Sequence, residues 1–259
     1  MFLLIHTFAT MFQNHIGEIA GVLTAVFWTV TSLAFESAGK KVGSLSVNLI
    51  RLVIAFGFLS VYSWITRGFL FPSDATGYQW LWLSLSGLVG FVIGDLLLFQ
   101  ALVVIGARIA MLVMALAPPF AAFIGWLVLG EVMSASNLLG MAITLTGIVI
   151  VILKREKTEE NGTVKTKLNS NYSIQGILLA LGGAIGQGAG LVLSKKGMGN
   201  YDPFSSSQIR VLTGIVGFIV VLSVMQRWPR FMAAIKNVPA MKRITLGAFF
   251  GPFLGVSFS

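Results

Sequence analysis

Stretches of about twenty apolar residues, each separated from the next by a mostly short polar segment, leave this chain few folds to choose from. They lie near 17–35, 45–66, 79–103, 107–129, 134–153, 173–193, 204–225 and 240–259. A helix of that length crosses the hydrocarbon core of a bilayer. An apolar run in lipid must satisfy its own backbone hydrogen bonds, so each run is expected to be a helix. Strand alternation of the porin kind is absent. Of the 259 residues only 10% are charged and 56% are hydrophobic, whereas a soluble domain carries roughly a quarter charged residues. The sequence therefore predicts an all-α, multi-pass integral membrane protein with about eight transmembrane helices.

The net charge of +9 raises the question of nucleic acid. Most Lys and Arg fall in the segments between apolar runs, as juxtamembrane charges do, and no nucleic-acid partner is expected. The two histidines, His6 and His15, precede the first run, and the chain has no cysteine. No HExxH and no P-loop occurs. These absences leave an intramembrane enzyme, a metal and a bound cofactor without residues to support them. The opening "MFLLIHTFATMFQNH" lacks the basic start and small-residue cleavage site of a signal peptide, and Met11 is an alternative start.

The chain is internally repetitive. Gly21, Lys40–Lys41, Ser46–Arg51 and Gly90 with Gly94 align with Gly176, Lys195–Lys196, Ser205–Arg210 and Gly251 with Gly255. The longest polar segment, 154–172, reads as a flexible linker between the halves. Five runs precede it. Five is odd, so the second half enters the membrane from the opposite face, and the repeats are inverted. Inverted repeats in membrane proteins point to transporters with a site between the halves near the midplane. The organisation expected is an N-terminal segment 1–16, a five-helix repeat 17–153, the linker, and an incomplete three-helix repeat 173–259. Two helices of the second repeat, roughly 50 to 60 residues at the spacing of the first, are expected to be missing after Ser259.

The stretch "ALAPPFAAFIGWLVLGEVMSASNLLGMAITLTGIVIVI", 115–152, resembles the end of an EamA repeat from the drug/metabolite transporter superfamily. The matching features are Pro118 in an apolar helix, the Gly130–Glu131 turn, and Gly140 with Gly147 in the next helix. Gly21, Ala25 and Trp28 are similar to that family's first helix. The resemblance implies ten helices in two inverted five-helix repeats and movement of small metabolites such as amino acids.

Ionisable residues inside the runs are costly and suggest function or pairing. Asp95 is the deepest. Arg51 and Arg210 stand about six residues into their runs, roughly 9 Å along a helix, where snorkelling, an ion pair or solute contact are all open to them. Asp95 aligns with Val256, so the carboxylate belongs to one half only, and it is the better candidate for proton coupling. Asp95→Asn is expected to uncouple transport while leaving the fold largely intact, and Arg51→Ala to lower the folded yield. Trp28, Asn48, Gln100, Gln187 and Gln208 complete a candidate cavity. Glu131 is expected to cap the next helix or face water, and Pro118–Pro119 to break the fourth helix. The glycine spacing at Gly182, Gly186 and Gly190 favours close helix packing.

The function read from these features is secondary transport of small polar metabolites by alternating access, as an exporter or permease. A non-transporting membrane scaffold or a channel is the alternative. The partners expected are a small solute, protons and membrane lipid, in a bacterial plasma membrane. Outside Arg51 and Arg210, the loops on one side hold Lys40, Lys41, Arg108, Lys154, Arg155, Lys157, Lys165, Lys167, Arg227, Arg230, Lys236, Lys242 and Arg243. The other side holds Arg67, Lys195 and Lys196. The positive-inside rule puts the first group, and the linker, in the cytosol. The resemblance implies the opposite orientation, with both termini cytosolic.

Overall fold

The computed structural model describes residues 16–152, 156–160, 163–167 and 173–251. The apolar runs are helical wherever they are described. The first two form α1 (Ile16–Val42) and α2 (Ser44–Arg67). The third begins as α3 (Gly77–Ser86), widens into a π-helix over Gly87–Gly94, and continues into α4 (Asp95–Met114). Then come α5 (Ala117–Leu129), α6 (Ala135–Ile152), α7 (Ile174–Met198), α8 (Pro203–Val224) and α10 (Val238–Ala248). Among the described residues, five segments are long and apolar enough to cross a membrane: Gly21–Val42, Ser44–Arg67, Gly77–Met114, Ile174–Met198 and Pro203–Val224. The end of the eighth run, with Gly255 and Val256, lies outside the described residues, as does nearly all of the N-terminal segment 1–16.

Two stretches outside the apolar runs carry regular structure, one of them the linker expected to be flexible. Within the linker, β1 (Glu156–Glu160) and β2 (Thr163–Lys167) pair antiparallel, with Glu156 opposite Lys167. β-branched Thr and Val suit a strand, and the Asn-Gly step between the strands is the residue pair that two-residue hairpin turns favour. Between the seventh and eighth runs lies α9 (Trp228–Lys236). Its apolar residues Phe231 and Ala234 turn inward while Arg230 and Lys236 face out. This is the pattern of a helix lying along a membrane surface.

The third and fourth runs are divided by a backbone break inside α4. Gly106 has φ 79°, ψ 159°, a left-handed φ that a residue with a Cβ adopts only at a cost. The helix restarts at Ala107, whose backbone N–H donates to Glu36 Oε2 at 2.8 Å. Glu36 also accepts from Lys40 Nζ at 2.5 Å. One carboxylate on α1 thus caps the resumed helix and is neutralised in place. The fourth run breaks again at Ala115–Leu116, ahead of the proline pair. Pro118 and Pro119 start α5 instead of kinking a helix interior, because a first-turn N–H has no intrahelical acceptor to lose.

The two halves interleave. Going along α7, Gly197, Gly190, Gly186, Gly183 and Gly176 meet Trp82, Gly90, Gly94, Leu98 and Ile105 in turn. One number falls as the other rises, so α7 runs antiparallel to the α3–α4 column. Gly247 and Gly251 meet Phe35 and Thr31 of α1 in the same sense, and Thr31 Oγ1 donates to the Gly247 carbonyl at 3.1 Å. Gly214 of α8 packs on Leu52 of α2, and Gln208 of α8 reaches Ser60 of α2, again antiparallel. Helices that the sequence repeat makes equivalent therefore run in opposite directions. Each half's first helix packs on the other half's third, and the two second helices pack on each other. The larger core lies at this junction and includes Phe35, Ile50, Phe99, Leu102, Ala180 and Ala184.

Candidate functional site

Three side chains from three helices meet at the centre of this junction. Asp95 heads α4 where the π-helix ends, and it is 3% exposed. Arg51 of α2, 4% exposed, donates through Nη2 to Asp95 Oδ2. Gln187 of α7 donates through Nε2 to Asp95 Oδ1 at 2.6 Å and to the Gly90 carbonyl at 3.3 Å. Asn48, one turn before Arg51, accepts from Arg51 Nε at 3.1 Å and donates to the Asp95 carbonyl at 3.3 Å. The Arg51 guanidinium also lies over Phe99, 4.6 Å from the ring centroid. The local backbone explains the meeting. Gly90 and Gly94 let α7 come within backbone contact, which carries Gln187 onto the carboxylate. π-Helical turns are rare and recur at functional sites.

Of the sequence-predicted residues, the structure thus brings Asp95, Arg51, Asn48 and Gln187 together. Arg51 does not snorkel: it is buried and paired. Its partner being Asp95, Asp95→Asn has a structural cost as well as any effect on coupling. Arg210 of α8 lies against the π-helix, its guanidinium 4.7 Å from the Phe91 centroid. The remaining three lie elsewhere. Gln208 is fully buried but serves the α2–α8 contact, donating to Ser60 Oγ at 3.1 Å and the Leu70 carbonyl at 3.0 Å. Gln100 lies away from the cluster, accepts from Ser44 Oγ at 2.8 Å and lines the cavity at the α1–α2 turn. Trp28 is 37% exposed on α1, well along the helix from the cluster. Glu131 does not cap α6; Ser134 Oγ does, accepting from Asn137 N at 3.2 Å. Glu131 instead accepts from Lys195 Nζ at 2.5 Å, because the positive-φ Gly130 turns it back toward α7.

The two ends of the α2–α8 pair differ. At the α1–α2 turn a cavity of about 520 Å³ opens, lined by Gly39, Ser44, Ser46, Leu96, Gln100, Met225, Arg227 and Arg230 among others. It reaches Leu96, the residue after Asp95. At the opposite end α2 and α8 are tied shut. Arg67 donates to Asp74 and to Ser205 Oγ, lies 3.6 Å from Asp202 Oδ2 and sits 5.4 Å from the Tyr201 ring centroid. Tyr201 Oη donates to Asp74 Oδ1 at 2.7 Å. Sequence reasoning missed this network and the Glu36 clamp. An Asp202-Pro203 step opening an apolar run is a helix-start signal, and Glu36 four residues before Lys40 is a pairing signal. Neither says what lies across from it.

Asp74 stands in the loop after α2. The Tyr201 hydroxyl, with Arg67 beside it, holds its carboxyl below the ordinary value of 3.8. A carboxyl lowered on folding stabilises the fold fully above its unfolded pKa, and that contribution fades as pH falls through the folded value. Melting temperature followed downward from pH 6 should therefore fall more steeply below about pH 4 in the unmutated chain than in Asp74→Asn. Parallel curves would show that the loop carboxylate is not linked to the fold.

Comparison with known proteins fits this geometry. Residues 15–153 match the EamA-like transporter family. Human solute carrier family 35 member G1 is 25% identical over 218 residues, covering 82% of this chain and 57% of that protein. The uncharacterized yeast membrane protein YMR253C is 24% identical over 189 residues, covering 70% of this chain and 45% of that protein. The chain thus spans about half the length of the curated relatives it matches. A solved crystal structure superposes with a TM-score of 0.55 over 93% of this chain and 83% of its own, at 16% identity, a likeness of fold. These two relatives are eukaryotic, so the bacterial membrane expected from sequence draws no support from them. Since the family match takes in more than half of the residues, and those residues fold as a multi-pass bundle of apolar helices, the chain belongs to the EamA-like transporter family.

Proposed function

We propose that the chain forms the solute path of a secondary transporter that moves small metabolites, such as amino acids or similar polar solutes, by alternating access. The observation that carries this reading is the asymmetry of the α2–α8 pair. One end lines a cavity of about 520 Å³, within the roughly 300–1,000 Å³ of small-molecule sites. The other end is bolted by Arg67, Asp74, Tyr201 and Asp202. Between the two sits a buried ion pair at the contact of inverted halves, where transporters of this construction bind their solutes. The cavity mouth is on the Lys- and Arg-rich side, so the positive-inside rule reads it as the cytosolic mouth. Among the described residues Asp95 is the one carboxylate in the centre, and exchanging a proton there as Arg51 moves away would couple solute to a proton gradient.

The test is counterflow in proteoliposomes. Vesicles holding the chain and preloaded with an unlabelled amino acid mixture should take up the labelled mixture saturably, without electrical conductance. Unitary currents in a planar bilayer would favour the channel reading. Absence of both exchange and current would leave the scaffold.

A further inference from the structure

The central ionisable groups do not balance, and the imbalance points to the solute. Arg51 and Arg210 occupy equivalent places in the two repeats, but the repeats supply one acid between them. Asp95 serves Arg51, and the residue aligned with Asp95 in the second half is Val256. Arg210 Nε is buried without an acceptor. Among the described residues its guanidinium makes no hydrogen bond and no ion pair. It rests on the face of Phe91, and Asp95, its nearest counter-charge, is already held by Arg51 and Gln187. Gly90 borders the guanidinium, an added Cβ there standing 3.7 Å from Arg210 Nη2 and 3.4 Å from Gly190 Cα. Among the described residues, the cavity wall carries Arg227 and Arg230 and no acidic side chain. A guanidinium in a low-dielectric setting with unused donors is half of a planar, two-bond ion pair.

We infer that Arg210 is the anchor for the carboxylate of a small carboxylate-bearing solute, which supplies the acid that the second repeat lacks in sequence, with Arg227 and Arg230 drawing such anions toward it. The inference rests on the transport reading in taking this ligand to be the transported solute. The solute's carboxylate meets the Nε and Nη edge, its apolar body lies along Phe91, and Arg51 with Asp95 stays paired while the solute is being seated. The centre then becomes neutral only when loaded. That favours movement of the loaded carrier over the empty one, since an uncompensated charge in the membrane interior is the costlier state.

The test uses the purified 259-residue chain in detergent. Melting temperature is read with lactate and malate, with their neutral amides lactamide and malamide, and with inorganic phosphate, at matched ionic strength. The acids should raise it by about 2–4 °C and the amides should not. Arg210→Gln should melt no lower than the unmutated chain in the absence of anion, since it removes an unpaired charge, and should lose the response. Arg210→Lys should keep a weakened one. Amides acting as well as acids, a response surviving in Arg210→Gln, no response to either acid, or a response to phosphate alone would each overturn the assignment. So would a lower melting point or failed folding of Arg210→Gln without anion, which would reveal a structural partner. Counterflow separates the two readings. Saturable exchange of amides but not acids would leave transport standing and remove the anchor. Acids that bind through Arg210 without any exchange would do the reverse.

Discussion

Replacing Asp95 with alanine is expected to destabilise the folded chain by about 3–5 kcal/mol, the usual cost of breaking a buried ion pair from one side. The reason is what stays behind. Arg51 is 4% exposed, and without the carboxylate it keeps one side-chain acceptor, Asn48, and the faces of Phe99 and Phe35. Gln187 loses its stronger contact at the same moment. Asp95→Asn should cost less, because the amide oxygen can still accept from Arg51 or Gln187 while the charge stays unmatched. Removing both charges together, as Arg51→Met with Asp95→Leu, should recover most of the stability, since a pair replaced by well-packed apolar side chains is often neutral. Heating in detergent followed by size-exclusion recovery measures all four proteins. If the double variant were as unstable as the alanine variant, pairing would not be what holds the centre. If it folds well but accumulates no solute, the pair is there for transport.

Gly190→Val should be nearly as damaging for a different reason. A Cβ on Gly190 would stand 2.8 Å from Gly90 Cα and 3.1 Å from Gly90 N. The obstacle is backbone on a neighbouring helix, which cannot change rotamer. Overpacking of a core costs about 1–3 kcal/mol even where side chains can yield, and here the helices themselves must part. Parting them pulls Gln187 off Asp95, so loss of packing and loss of the central hydrogen bond add. Gly57 is the control. Nothing lies within 4 Å of a Cβ there, so Gly57→Ala should leave the melting temperature unchanged or raise it slightly, alanine being the better helix former. Equal losses at the two positions would mean that helix approach at Gly90 and Gly190 is not the constraint.

The spans were legible because lipid permits little else: twenty apolar residues must be a helix, and the runs read from composition are helical where described, though breaks at Gly106 and Ala115–Leu116 redraw the limits of the third and fourth. Opposed directions were legible from parity and repetition, and the antiparallel glycine contacts agree. The pair Arg51 and Asp95 stood out because charge in an apolar run needs a partner. What was not legible depends on rotation about helix axes and on partners far away in sequence. Gln208, Gln187 and Gln100 look alike in the chain, yet one is scaffold, one holds Asp95 and one lines the cavity near its mouth. The π-helix at Gly87–Gly94 has no compositional mark beyond its glycines. The nine residues of α9 are too few to register as a run, and the Arg67 network joins positions up to 138 apart.

The interleaving of the halves has a consequence for how the chain is made. Asp95 and Gln187 are 92 residues apart. At about 5–20 residues per second of synthesis, roughly 5 to 20 s pass between the appearance of the carboxylate and that of the amide that completes its shell. In that interval the faces of α1 and of the α3–α4 column that α10 and α7 will cover have only lipid, the insertion machinery or a chaperone against them. Newly made first halves should therefore be the species most exposed to membrane quality control, and translation slowed between codons 100 and 180 should lower the yield more than the same delay placed after codon 250.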